Sequence, residues 1–170
     1  MPGYRIEEVK GVKVGVAGAV LQGTASVAVA SAIAGLDFID EAEAINKTLP
    51  QMRAEGAKVF IALIHEGGRT DESPDQPGCR GLTGGVVDIV KKLDPAIRLV
   101  ITGHSHQGYL CTVDGRIVTQ ADAAGHLLSR IALKVDPSSG AIADIDVQNV
   151  VMDPANFPAD PKVAAYIARV

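Results

Sequence analysis

Tryptophan is absent from this 170-residue chain, and aromatic residues of all kinds make up only 4% of it. Its core must therefore be built from Val, Ile, Leu and Ala. No apolar run approaches the roughly 18 residues of a bilayer-spanning helix, which excludes that class of membrane protein. The formal charge is -4 and no basic stripe is present. That argues against a nucleic-acid polymer as partner. Lys91-Lys92, the one adjacent basic pair, reads as a solvated helix end. There are two cysteines, Cys79 and Cys111, and neither belongs to a Cys-x-x-Cys pair, so zinc-finger and thioredoxin readings fail. Their spacing leaves one disulfide and two buried thiols equally open. Residues 1–10 are polar and show no secretory leader. No internal repeat or low-complexity tract is evident.

What is present is a chain of 47% hydrophobic and 21% charged residues, about one domain's worth with a sizeable core. Residues 12–16 read as a buried strand. Residues 17–36 are ambiguous, since alanine favours helix while Val27, Val29 and Ile33 favour extension. Asp40 and Glu43 form a capping-box pattern before a stripe of Ala42, Ile45, Leu49 and Met52, which Pro50 should kink and Gly56 should end. Residues 58–64 form an apolar run typical of a strand buried on both faces. A long loop over 66–81 follows. A helix on Val86, Ile89, Val90 and Leu93 is closed by Asp94-Pro95, and residues 97–101 form another buried strand. Residues 109–113 and 117–120 flank Asp114-Gly115, a strong hairpin signal. Residues 127–135 and 142–151, joined by Pro137-Ser138-Ser139-Gly140, read as a second antiparallel pair. Asp160 and Pro161 open a last helix with a stripe of Val163, Ile167 and Val170. The sum is a layered α/β domain.

Three of the four histidines, His65, His104 and His106, stand just past the ends of expected buried strands, where ligand sites of open α/β sheets gather. In an extended backbone His104 and His106 would point the same way, with Gly103 turning the chain and Ser105 leaving room. Neutral imidazoles bind borderline divalent ions, and a pair of such ions can clamp a phosphate and activate water. Such a pair also needs bridging carboxylates. The acidic candidates near these strand ends are Glu66, Asp71, Glu72, Asp75 and Asp122, and none has a convincing bridging position. His126 reads as an exposed residue before a strand. A rival reading takes residues 103–108 as a Gly-x-Ser-x-Gly nucleophile elbow. The second glycine arrives one residue late, and a strand follows where the elbow needs a helix.

Several segments together carry a resemblance. They are Lys13-Val14-Gly15-Val16, Leu21-Gln22-Gly23-Thr24, residues 35–42, Ala62-Leu63-Ile64-His65-Glu66-Gly67-Gly68 and Gly103-His104-Ser105-His106-Gln107. From about Gly11 to Val151 the chain resembles the bacterial 5'-nucleotidase and 2',3'-cyclic-nucleotide phosphodiesterase family of calcineurin-like metallophosphoesterases. The resemblance implies the second half of a four-layer α-β-β-α sandwich with mixed sheets, spanning residues 1–158. It implies that residues 159–170 begin a linker helix towards a further C-terminal domain. It also implies two divalent ions, manganese, zinc or similar, in the intact enzyme, and hydrolysis of nucleotide phosphate esters by metal-activated water.

By the same resemblance His65 and His104 match ligands of the second ion and His106 a ligand of the first. Gly103 and Ser105 match the turn that holds the pair, and Ser105 and Glu66 match supporting residues. Gln120-Ala121 and Gly125 match the border of the site. Cysteines near positions 79 and 111 pair in secreted relatives, which favours a Cys79–Cys111 disulfide and a periplasmic or extracellular location. The family's Asp-x-His, Gly-Asp and Gly-Asn-His-Glu motifs, which carry the bridging Asp, the Asn ligand and the catalytic His, do not occur here. The expectation is a segment that is nearly inactive alone, holds no ion firmly and self-associates through exposed apolar surface. A non-catalytic metal-binding or interaction module of the same fold is the alternative.

Overall fold

A mixed six-stranded sheet forms the centre of the computed structural model, which describes residues 3–136 and 138–169. Pro137 of the expected turn and Val170 of the expected stripe lie outside the described residues. The strands are β1 (Tyr4–Val9), β2 (Val12–Ala19), β3 (Val59–Ile64), β4 (Ile97–Thr102), β5 (Gly108–Val113) and β6 (Arg116–Ala121), in the spatial order β1-β2-β3-β4-β6-β5. Strands β2, β3, β4 and β6 are mutually parallel, and β1 and β5 are antiparallel edges. A two-stranded antiparallel ribbon follows, β7 (Leu127–Val135) with β8 (Ile142–Val151). The four short α-helices among the described residues are α1 (Glu41–Asn46), α2 (Leu49–Ala54), α3 (Gly85–Lys92) and α4 (Pro161–Ile167).

The side-chain period of two sorts the sheet into two faces. Phe60, Ala62 and Ile64 of β3, Val100 of β4, Val118 of β6 and Tyr109 of β5 pack with Ala42, Ile45, Leu49 and Met52 of α1 and α2 and Val86, Ile89 and Val90 of α3. On the other face Leu99, Leu110 and Val147 form a second cluster with Ile61, Ile101, Ile117, Ile131, Leu133 and Ile145, where the ribbon covers the β4-β6-β5 side. Towards β2 and β3 that face is open, and Leu63 is 41% exposed. Asn149 of β8 fixes the ribbon to the sheet. Its Nδ2 donates to Tyr109 O (2.9 Å), Pro74 O (2.9 Å) and Gln120 O (3.2 Å), and its Oδ1 accepts from Ser129 and Thr119.

Several expectations are corrected. Residues 4–9 are a strand, because Lys10 (φ 50°) and Gly11 (φ 79°) close a tight hairpin. The polar composition of that strand reflects its position as an edge. Residues 17–36 are neither one helix nor one strand. β2 runs on to Ala19, and two short 3₁₀ turns follow at Gln22–Ser26 and Ala30–Ala32. The buried carboxylate of Glu41 holds this segment by accepting from Gln22 N at 2.6 Å. Pro50 divides the expected helix in two by standing in the first turn of α2, where its missing N–H is not needed. The stripe Ala42, Ile45, Leu49, Met52 is nonetheless wholly buried. The Asp114-Gly115 turn has φ values of 48° and 74°, as a two-residue hairpin requires.

Asp40 caps α1 by accepting from Glu43 N at 3.0 Å, and its other oxygen accepts from Lys92 Nζ at 2.8 Å. The Lys92 hydrogen bond, then the one from Glu43 N, hold its carboxyl below the ordinary value. A lowered folded pKa gives stability that is present above the unfolded value and is lost as the pH falls through the folded one. Asp40→Ala is therefore expected to cost about 1 kcal/mol near neutral pH. The difference from wild type should shrink below about pH 4. Urea unfolding at pH 7 and pH 3 measures both.

Candidate functional site

The parallel orientation of β3, β4 and β6 brings their C-terminal ends to one rim. His65 follows β3, Gly103-His104-Ser105-His106-Gln107 link β4 to β5, and Asp122 to His126 follow β6. His65 N donates to Ala19 O at 2.9 Å, which ties the rim to β2. The His65 and His104 rings meet edge to face, with centroids 5.2 Å apart and planes at 69°. His106 lines a neighbouring hollow of about 510 Å³ with Thr70, Glu72, Gln107, Asp122 and His126. His65 lines a different one, over the open sheet face.

The turn itself differs from the extended dipeptide expected. His104 (φ 68°) and His106 (φ 50°) both adopt the left-handed region, and Gly103 does not. Six non-glycine residues among those described have positive φ. Lys10 and Asp114 belong to hairpin turns, and the other four, His104, His106, Asp122 and Ala124, lie in the two rim loops after β4 and β6. Such conformations cost of order 1 kcal/mol or more each and persist where surroundings impose them. Here the surroundings are close-packed backbone. A Cβ on Gly67 would stand 2.3 Å from Gly103 O and 2.4 Å from Ser105 Oγ, and one on Gly68 would stand 2.4 Å from Thr83 O. The Gly67-Gly68 pair thus lets three loops approach one another.

Ser105 stands between the two strained histidines. Its N donates to Gly103 O (2.8 Å), and its hydroxyl donates to Gly68 O (2.9 Å) and reaches Gln120 Oε1 (3.2 Å). Among the described residues none of its hydrogen bonds is to a histidine, and β5 follows the turn rather than a helix. Both facts count against the nucleophile-elbow reading. Beneath the turn, Thr102, Tyr109 and Gln120 form a buried polar cluster. Burial pushes the Tyr109 phenol above its ordinary value, so it stays protonated.

Most of the acidic candidates brace loops. Glu66 accepts from Gly67 N, and its carboxyl lies beside Gly85 at the start of α3. Glu72 accepts from Arg80 N and Gly81 N. Asp75 accepts from Ser73. Asp122 Oδ2 lies 3.2 Å from His126 Nδ1, and the His126 side chain is exposed. Cys79 and Cys111 form a disulfide, both residues buried, joining the long loop to edge strand β5. The resemblance placed Gln120 at the border of the site, but its buried cluster with Thr102 and Tyr109, and Asn149, were missed, because isolated polar residues inside strands carry no pattern of their own.

The centroid spacing of the His65 and His104 rings is close to that of two imidazoles sharing one ion. Two imidazoles bound to a tetrahedral ion at about 2.0–2.1 Å place their ring centroids roughly 5 Å apart. Among the described residues no group of three or more His, Cys, Asp or Glu side chains is arranged to hold a metal.

No family model matches the chain. It is 27% identical over 169 residues to Endonuclease YhcR of Bacillus subtilis, covering 99% of this chain and 13% of that protein. It is 29% identical over 142 residues to Cell wall protein Lmo0130 of Listeria monocytogenes, covering 81% and 18%. It is 30% identical over 116 residues to the trifunctional nucleotide phosphoesterase protein YfkN of B. subtilis, covering 60% and 8%. The chain thus spans less than a fifth of the length of the curated relatives it matches. The solved calcineurin-like phosphoesterase YfkN of B. subtilis superposes with TM-score 0.73 at 26% identity, covering 98% of this chain and 55% of that one. A putative 5'-nucleotidase of Staphylococcus aureus shares the fold, with TM-score 0.70 at 20% identity over 98% of this chain and 33% of that one. In chain path and rim motif the chain is similar to calcineurin-like phosphoesterases and 5'-nucleotidases, whose layered α/β fold it shares.

Proposed function

We propose that this chain supplies one wall of a two-metal site that hydrolyses nucleotide phosphate esters. The observation that carries the reading is the His65–His104 pair, 5.2 Å between ring centroids on a rim of strained, close-packed loops. In this reading His65 and His104 hold one divalent ion and His106 contributes to a second. Those ions would supply charge stabilisation for the phosphoryl oxygens and an activated water. The chain's own share is to present neutral imidazoles in fixed orientation. Gly103 and Ser105 fix the turn, and Glu66, which accepts from Gly67 N, supports the loop after β3 beside the start of α3. The bridging carboxylates come from outside the described residues, so this polypeptide alone is nearly inactive. Residues 1–158 would belong to the catalytic domain and residues 159–170 would begin a linker helix.

The buried disulfide supports an oxidising compartment, periplasmic or extracellular. The description of Lmo0130 as a cell wall protein points the same way. No helix of the described residues is long and apolar enough to cross a membrane. The open face at Leu63 supports self-association of the isolated chain.

One preparation tests this reading. The purified 170-residue chain, with manganese or zinc added, is assayed against AMP and a chromogenic phosphodiester while light scattering gives its size. The expected outcome is turnover near background, a particle larger than a monomer, and zinc retention that falls at least tenfold in His104→Ala. Turnover like that of intact nucleotidases would overturn the one-wall reading. Zinc binding indifferent to His104→Ala would favour the second reading, an interaction module of the same fold. The lack of a third donor among the described residues favours that module.

A further inference from the structure

Gln120 is 2% exposed, sits at the end of β6 directly below the histidine turn, and is a costly residue for a core. Its Oε1 lies 3.2 Å from Ser105 Oγ, 3.2 Å from the Tyr109 hydroxyl and 3.3 Å from Thr102 Oγ1. Its Nε2 is buried and has no partner among the described residues. An unpaired buried donor destabilises a fold, because it loses its water without gaining a partner. An apolar side chain of similar length would fill the same volume without that cost. The three hydroxyls would still have other partners, since Thr102 donates to Thr119 O, Ser105 donates to Gly68 O, and the Tyr109 and Thr102 hydroxyls bond each other. Stability alone therefore does not explain an amide here.

What only the amide provides is a link from the rigid sheet to the turn. Oε1 connects Ser105 to Tyr109 on β5 and Thr102 on β4, and it lies 2.7 Å from where a Cβ on Gly67 would stand. Ser105 is flanked on both sides by histidines in the left-handed region, so fixing Ser105 fixes the backbone that carries both rings. We infer that Gln120 is a positioning residue: through Ser105 and the Gly67 backbone it holds the His104 ring against His65 at the spacing that admits one divalent ion. The inference rests on the metal-site reading above for its consequence and not for its geometry. Functional sites held by strained backbone at a cost in stability follow this pattern.

The test uses the full chain with Gln120→Met, Ser105→Ala, and Val118→Ala as a core control on the same strand. Two readouts are taken: the NMR cross-relaxation between the His65 and His104 ring protons without metal, and zinc affinity by competition with a chromophoric chelator. Gln120→Met is expected to unfold at a denaturant midpoint equal to or above that of wild type, because it removes the orphan donor. It should also lose most of the ring-to-ring signal and bind zinc at least tenfold more weakly. Val118→Ala should be destabilised with both site readouts unchanged. A Gln120→Met chain that keeps the ring signal overturns the positioning role, whatever zinc does. Should Gln120→Met fail to fold, Ser105→Ala cuts the same link at its half-buried outer end and must show the same loss. If wild type keeps the ring signal but binds no zinc, the metal reading fails while the ring readout still decides the role of Gln120.

Discussion

Gly67→Ala is expected to destabilise the chain by about 3 kcal/mol and to separate the two imidazoles. The added methyl would stand 2.3 Å from Gly103 O, 2.4 Å from Ser105 Oγ and 2.7 Å from Gln120 Oε1. Overpacking costs about 1–3 kcal/mol where side chains can yield. Here the nearest atom is a backbone carbonyl, so the upper end applies. The residue has no positive φ, so its need for glycine is steric. Gly11→Ala is the contrasting case, with φ 79° and nothing within 4 Å of the new methyl. It should cost about 1–2 kcal/mol through backbone strain alone and leave the rim unchanged. Denaturant unfolding together with the His65–His104 ring signal separates the two mechanisms. Equal loss of the ring signal in both variants would show that the rim responds to global stability rather than to the contact at Gly67.

Removing the Cys79–Cys111 disulfide is the second change with a large expected effect. The bridge closes a loop whose ends are 32 residues apart in sequence. The chain-entropy relation gives about 3.7 kcal/mol for a loop of that length. In a chain of this size that corresponds to a fall in Tm of roughly 10 °C. The enclosed segment carries α3, β4 and the histidine turn, and the bridge also anchors the end of the preceding loop that holds Gly67-Gly68 and Glu72. Its release should therefore loosen the site as well as lower stability. Calorimetry of the Cys79→Ser, Cys111→Ser double variant against wild type measures the first effect. Amide hydrogen exchange across residues 66–81 measures the second. A Tm within two degrees of wild type would mean that local hydrogen bonds, such as Cys79 N to Leu110 O at 3.1 Å, already close the loop.

The two loops' chemistry was legible in the sequence to different depths. The apolar runs before His65 and before Gly103 exposed two parallel strands and placed three histidines at strand ends, because burial on both faces leaves a continuous hydrophobic signature. The Asp114-Gly115 hairpin and the Asp40 and Asp160 caps were equally plain, since each rests on local conformational rules. β1 was not legible. Lys10 is an unusual residue for the first position of its turn, and an edge strand need not be apolar. The 3₁₀ turns after β2 were hidden by alanine and valine, whose local preferences were overridden by the tie between Glu41 and Gln22. Within the site, the strand-end positions followed from pattern, but the left-handed conformation of His104 and His106 did not. The turn that carries them packs against Gly67 and Gln120, with Ser105 between the two rings, residues 15 to 53 positions apart from one another, and contacts across such gaps leave no local trace.

Four parallel strands separate the molecule into two ends with different freedoms. The turns at Gly56, at Asp94-Pro95 and at Asp114-Gly115 all lie a strand's length, roughly 20 Å, from the histidines. A Cβ at Gly115 would meet nothing within 4 Å. Peptide tags, fluorophores or new chain termini introduced at Gly115 should therefore be accepted without disturbing the opposite end, giving a handle for tethering the domain with its imidazoles facing away from the support.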